Sequence, residues 1–279
     1  MSARPLLRLA VLTTDTAHHR WFLQQLHEHL AGVATIDLTV FETKAYPWER
    51  NRKRFVRESM PNLWKAYARN PYVTSSKLST LIDAYEERSF FPNGDDSLPD
   101  SIPVLTTKSV NDQAVLDALD AVQPDLALVY GTGLVKPPVF ERPRITTVNA
   151  HGGSLPGYRG LDTNLWATYL GHPEHMAVTL HQVDDHIDTG HVYTSRPIGA
   201  PSDLSLLSLR FHTTLVCTAM FVDLVHAFAG GQPEATPQTG EGRYFKPMPP
   251  ALKKRTDALL RAYAGRTAAQ TPERSAATV

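Results

Sequence analysis

The chain has 279 residues, enough for one large domain or two small ones. A 42% hydrophobic content can build a core, which excludes wholesale disorder. Its 28 basic and 28 acidic side chains cancel, which argues against a phosphate-hugging surface, and a single cysteine excludes an internal disulfide framework or a multi-cysteine metal site.

The first apolar stretch is short, is interrupted by Arg8 and shows no small-residue cleavage site, so it does not read as a signal peptide. Residues 6–13 form a near-continuous apolar run, the pattern of a strand buried on both faces of a parallel sheet. Thr14 to His18 leads into a helix ending near Leu30, and Ala34 to Phe41 reads as a second strand. The segment 43–103 is the least sheet-like part and reads as a helical insertion, with helical patterning through Tyr67 and again from Lys77 to Arg88. Its basic stretch Arg50–Arg54 is ordinarily a solvated helix face; the functional alternative is a site for an anionic group of a substrate.

Gln113 to Val122 is a short helix stopped by Pro124, followed by strands at Asp125–Tyr130 and Ile145–Asn149. Strands alternating with helices predict an α/β fold with a mostly parallel, Rossmann-like sheet flanked by helices. Met176–Val183 and His191–Pro197 then read as a hairpin. The apolar run Leu204–Ala229 carries Arg210, His212, Asp223 and His226, so it reads as a buried helix and not a membrane span. Ser202 or Asp203 is its expected cap, and Gly230-Gly231 its end. Lys253–Ala264 is a last amphipathic helix, with a tail from Gly265 expected to fray. The division expected is a main domain over 1–247, containing the insertion, and a C-terminal helix and tail over 248–279.

Three elements carry candidate chemistry. Asn149 and His151 are two apart at the end of a strand and so share one face. The loop Gly152–Gly160 holds four glycines and a proline, leaving backbone open for a planar ligand. Asp188 lies in the hairpin turn Val183–Gly190, either as a turn residue bonding its own backbone or as a buried carboxylate facing His151.

In this order the three elements resemble the folate-dependent formyltransferases, a family including glycinamide ribonucleotide, methionyl-tRNA and sugar N-formyltransferases. The resemblance rests on Asn149-x-His151, on Ser154-Leu155-Pro156-Gly157-Tyr158-Arg159-Gly160, and on Asp188-Thr189-Gly190, 37 residues after the histidine. Val178–His181 and Tyr130–Val135 match as well, and the strong likeness runs from Pro124 to Pro197. It departs at His151-Gly152-Gly153-Ser154-Leu155-Pro156, where the family has one residue between His and Ser-Leu-Leu-Pro.

The resemblance implies the formyltransferase fold and 10-formyltetrahydrofolate as formyl donor, with no metal. It implies a catalytic trio of Asn149, His151 and Asp188. Donor contacts fall on Thr132, Gly133, Leu134 and Val135 and on Asp184, Asp185, His186 and Ile187; acceptor contacts fall on Gly153, Ser154, Tyr158 and Arg159. Such transfer passes through an oxyanion, which Asn149 and His151 would meet as donors, with Asp188 expected to raise the His151 pKa and hold the imidazolium.

The methionyl-tRNA enzymes carry a further C-terminal domain. Only 33 residues follow Lys246 here, and net charge is zero, so the expected acceptor is a small amine: an amino sugar or an amine of specialised-metabolite or siderophore chemistry. A cytoplasmic protein with no membrane or nucleic-acid partner is expected, and a homodimer stays open.

Four rivals are weighed. A formyltetrahydrofolate deformylase would use water in place of the amine, but that family usually begins with a regulatory domain and this chain begins at the first strand. A non-catalytic folate-binding module would be expected to lose part of the trio. An α/β-hydrolase lacks its Gly-x-Ser-x-Gly elbow here, and a dinucleotide-dependent oxidoreductase lacks glycine in the loop after the first strand.

Overall fold

The structure, a computed structural model, describes residues 5–43 and 75–270. The Arg50–Arg54 stretch and the helical pattern through Tyr67 lie outside the described residues. In chain order the elements are β1 (Leu7–Thr13), α1 (Ala17–His29), β2 (Ala34–Glu42), α2 (Ser75–Phe90), β3 (Val104–Thr107), α3 (Gln113–Val122) and β4 (Leu126–Val129). There follow α4 (Pro137–Phe140), β5 (Thr146–His151), β6 (Tyr158–Gly160), α5 (Thr163–Tyr169), a 3₁₀ turn at Pro173–His175 and β7 (Ala177–Gln182). The last are β8 (Val192–Pro197), α6 (Leu209–Gly230), β9 (Arg243–Phe245) and α7 (Pro250–Gln270).

Seven strands form one sheet in the order β3-β2-β1-β4-β5-β7-β8. The first five are parallel, and β7 and β8 add an antiparallel edge, giving the expected mostly parallel α/β sheet. Period-two alternation sorts the sheet's side chains between two cores. Leu9, Val11, Leu126, Leu128, Val148, Val178 and Leu180 face the larger core, where α1 and α6 pack. Ala10, Leu12, Val40, Ala127 and Val129 face the smaller one, under α3 and α4. On this second face the apolar pattern stops at the antiparallel edge. There β5 and β7 present Thr147, Asn149, His151, Thr179 and His181, four of them buried, and the site is built on that polar patch.

The long apolar helix starts later than expected. Neither Ser202 nor Asp203 caps it: Ser208 occupies the N-cap without a side-chain cap bond, and Ser205 and Ser208 bond each other in the preceding turn. Asp203 instead accepts hydrogen bonds from the Tyr85 hydroxyl and His212 Nε2. By length and composition α6 is apolar enough to cross a membrane. Its polar side chains are engaged laterally: Arg210 binds Asp83 and the fully buried Glu86 of α2, Asp223 binds Arg196, and His226 donates to the His29 carbonyl. The last helix continues through Gly265 to Gln270, where a fraying tail was expected from Gly265, and 271–279 lie outside the described residues.

Four of the elements that were not anticipated bear on the site and its surroundings. β3 is short and half-exposed, with no apolar run. β6 and β9 form a separate two-stranded parallel ribbon, and α5 follows Asp162 in the left-handed conformation.

Candidate active site

Antiparallel register sets Asn149 of β5 directly opposite His181 of β7, so both side chains point to the same face. Asn149 Nδ2 donates to His181 Nε2 at 3.1 Å, and His181 Nδ1 donates to the Gln182 carbonyl at 2.7 Å. His151, two residues along β5, donates its Nε2 proton to the Tyr158 carbonyl at 2.7 Å. Each ring's outer nitrogen is thus committed to a backbone carbonyl, which settles both tautomers.

The connection from β7 to β8 folds back over this face and delivers Asp188 between the two rings. Asp188 Oδ2 lies 3.4 Å from His151 Nδ1, and Oδ1 lies 3.6 Å from His181 Nε2. Oδ2 also accepts the Gly160 N–H at 2.8 Å. Asp188 reaches this position at φ +55°, a left-handed conformation that Asp tolerates better than most residues. Gly190 closes the turn so tightly that a Cβ there would overlap the Gln182 carbonyl oxygen. Gly190→Ala is therefore expected to cost about 1–3 kcal/mol by overpacking, read from the denaturant midpoint; an unchanged midpoint would show that the turn relaxes freely.

Burial pushes the His151 pKa below its ordinary value, although Asp188 and the Tyr158 carbonyl pull the other way. Asp188 does raise it, as expected, but it does not hold the imidazolium: the ring is only 5% exposed, and desolvation of the cation outweighs the nearby carboxylate. For Asp188 burial alone would raise the pKa, but the two histidines beside it, His181 and His151, and the Gly160 N–H together hold it below the usual carboxylate value. Near neutrality the trio is therefore a carboxylate beside a neutral imidazole whose lone pair faces it. That pair has room for one proton.

The other expected residues divide. Val135 is buried in the smaller core, which Val183 also joins, so the two expected donor segments are rooted together. Leu134 and Ile187 stand 59% and 45% exposed, apolar surfaces suited to a planar ring. Thr132 donates to the Gly133 carbonyl. Asp184 accepts from the Thr189 hydroxyl and the His186 N–H, bracing the turn, while the Asp185 and His186 side chains are exposed. In the glycine-rich loop, the Gly153 carbonyl accepts from Thr179 and the Ser154 carbonyl from the Tyr158 N–H. The Tyr158 side chain points away from Asp188. It stacks on Phe245 and meets His172 through its hydroxyl, so only its carbonyl serves the trio. Arg159 donates to Gln238.

Two residues here carried no expected role. His181 sits within a matching stretch, but its place opposite Asn149 follows from strand register. Glu42 ends β2, buried, and its carboxylate accepts the Gly133 N–H at 2.6 Å and the Val110 N–H at 3.1 Å. A Cβ at residue 133 would sit 3.2 Å from that carboxylate, so Glu42 and the glycine fit each other. The only available signal was an acidic residue closing an apolar strand.

A mostly parallel sheet, a polar patch at its antiparallel edge and a buried carboxylate between two histidines make up the candidate site. The family model for formyl transferase matches residues 62–214, more than half of the chain, and the chain belongs to that family. It is 31% identical over 156 residues to a methionyl-tRNA formyltransferase of Porphyromonas gingivalis, covering 54% of this chain and 47% of that one. It is 36% identical over 133 residues to the methionyl-tRNA formyltransferase of Ralstonia nicotianae, covering 46% and 40%. The chain thus spans about half the length of the curated relatives it matches. Among solved structures it is similar to glycinamide ribonucleotide transformylase 1 from Symbiobacterium toebii, with TM-score 0.55 and 14% identity over 86% of this chain and 100% of that one. A 4-N formyltransferase from Francisella tularensis also has TM-score 0.55, with 11% identity over 92% and 87%. At these identities the structural likeness speaks for the fold alone.

Proposed function

We propose that the protein transfers a formyl group from 10-formyltetrahydrofolate to the amine of a small molecule. The observation that carries this reading is the Asp188 carboxylate between His151 and His181, each ring held by a backbone carbonyl. The donor supplies the formyl carbon. The amine nitrogen attacks that carbon, a C–N bond forms, and negative charge develops on the formyl oxygen. Asn149 uses one amide hydrogen on His181, and its second is the donor available to that oxygen. The proton shed by the amine passes to the His151–Asp188 pair, which then returns it to the folate nitrogen as its bond to the formyl carbon breaks. The products are a formamide and tetrahydrofolate, with no net oxidation or reduction and no enzyme-bound acyl group.

The zero net charge supports a small acceptor over a polyanion, while the methionyl-tRNA relatives supply the second candidate. The test mixes the protein and 10-formyltetrahydrofolate with amino sugars, siderophore-type amines or methionyl-tRNA, and follows tetrahydrofolate release and product mass. Release that needs a small amine, with one formyl group added, is the expected result. Formylated methionyl-tRNA would overturn the acceptor class, and equal release without amine, with formate appearing, would make the protein a deformylase.

In this reading Glu42 holds Gly133, and with it the loop that cradles the donor. Glu42→Ala is expected to raise the donor KM about tenfold, equivalent to roughly 1.4 kcal/mol, with kcat little changed. Donor and acceptor saturation curves check this; an unmoved donor KM would leave Glu42 a purely structural residue.

A further inference from the structure

We infer that Gln238 is a positioning residue for Asp188, acting from a segment 50 residues downstream; this rests on the formyl-transfer reading above. Gln238 Nε2 donates to two backbone carbonyls of the Asp188 turn, Asp188 O at 3.0 Å and Gly190 O at 2.8 Å. Its Oε1 accepts from Arg159 at 3.0 Å. One side chain therefore spends its whole amide on the two segments that bracket the carboxylate.

The surroundings make this grip rigid. Two residues before Gln238, Thr236 pairs with Val192 through two 2.8 Å backbone bonds, which tie the segment to the start of β8. Arg159 is confined on the other side: a Cβ at Gly242 would lie 2.8 Å from its guanidinium, and its buried Nε has no hydrogen-bond partner among the described residues. The Arg159 backbone belongs to β6, whose next residue, Gly160, donates to the Asp188 carboxylate.

Asp188 needs such support. It holds a left-handed backbone that a free turn would leave readily, and its carboxylate must lie between two imidazoles at once. The turn's own bond from Thr189 to Asp184 braces its inner side. The Asp188 and Gly190 carbonyls on the outer side are held by Gln238 alone among the described residues.

The experiment compares wild type, Gln238→Ala, Gln238→Glu, Asp188→Asn and the double variant Gln238→Ala/Asp188→Asn in the formyl-transfer assay. A displacement of the carboxylate by about 1 Å predicts a kcat loss of roughly 30- to 100-fold in Gln238→Ala, with the donor KM within about twofold of wild type. Gln238→Glu keeps a partner for Arg159 but cannot donate to the two carbonyls, so it should lose kcat to a similar degree. If Gln238 works through Asp188, the double variant turns over no more slowly than Asp188→Asn alone. Fully additive losses, or wild-type kcat in Gln238→Glu, would overturn the inference. Absence of formyl transfer in wild type with every acceptor would instead overturn the functional reading beneath it.

Discussion

Asp188→Asn is expected to lower turnover by about three orders of magnitude while donor binding stays near the wild-type value, because proton transfer by a positioned group contributes roughly 10²–10⁴-fold. The substitution is close to isosteric, and Asn is among the few residues that accept the left-handed backbone seen at φ +55°. The amide oxygen can still take the Gly160 N–H, and the Gln238 bonds go to main-chain carbonyls that the substitution leaves in place. What disappears is the negative charge 3.4 Å from His151 Nδ1 and 3.6 Å from His181 Nε2. Without it a proton arriving on His151 lies buried and uncompensated, and the pair no longer accepts it from the amine. The kcat in the folate assay, together with a donor titration, checks this. Unchanged turnover would remove Asp188 from the mechanism, and lost donor binding would make it a structural anchor.

The same residue shows how much of the site could be read from the chain. The 37-residue spacing between His151 and Asp188, with a glycine-rich loop between them, was visible, because such a loop and an Asp-x-Gly turn are local patterns. Four of the five parallel strands, β1, β2, β4 and β5, were visible too, whereas β3, half-exposed and without an apolar run, was not. The position of His181 was not, since its approach to Asn149 depends on which residues of two antiparallel strands face each other across 32 positions. Gln238 and Glu42 act on main-chain atoms far away in sequence, and such contacts leave no periodicity. β6 and β9 are three residues each and pair across a gap of more than eighty, so neither could nucleate a recognisable pattern. The late start of α6 was hidden because Leu204, Leu206 and Leu207 continue its apolar run without being helical. The protonation state of His151 was misjudged for one reason: its burial, which outweighs the carboxylate, is a property of the packed structure.

That protonation state yields the second large effect. With its pKa held below the ordinary 6.5, His151 is neutral at physiological pH and ready to take a proton. Turnover is therefore expected to stay level through neutrality and to fall only on the acid side of the ordinary histidine range, as His151 becomes protonated before the amine arrives. His151→Ala should lose about 10²–10³-fold in kcat and lose that acid limb with it. Stability follows the same sign. Between the depressed native pKa and 6.5 the unfolded chain binds more protons than the folded one, so stability rises with pH across that window. The contribution is fully present above 6.5 and is lost as pH falls through the native value. The depressed Asp188 pKa adds a second loss at lower pH, present above 3.8 and lost as pH falls through its own native value. Denaturant midpoints measured from neutrality to below pH 3.8, with kcat followed over the mildly acidic part of that range, separate the two groups. A kcat that already declines from above pH 7 on acidification would mean that His151 titrates above its ordinary value. The imidazolium would then be the resting form, and His151 would serve the developing oxyanion as a hydrogen-bond donor.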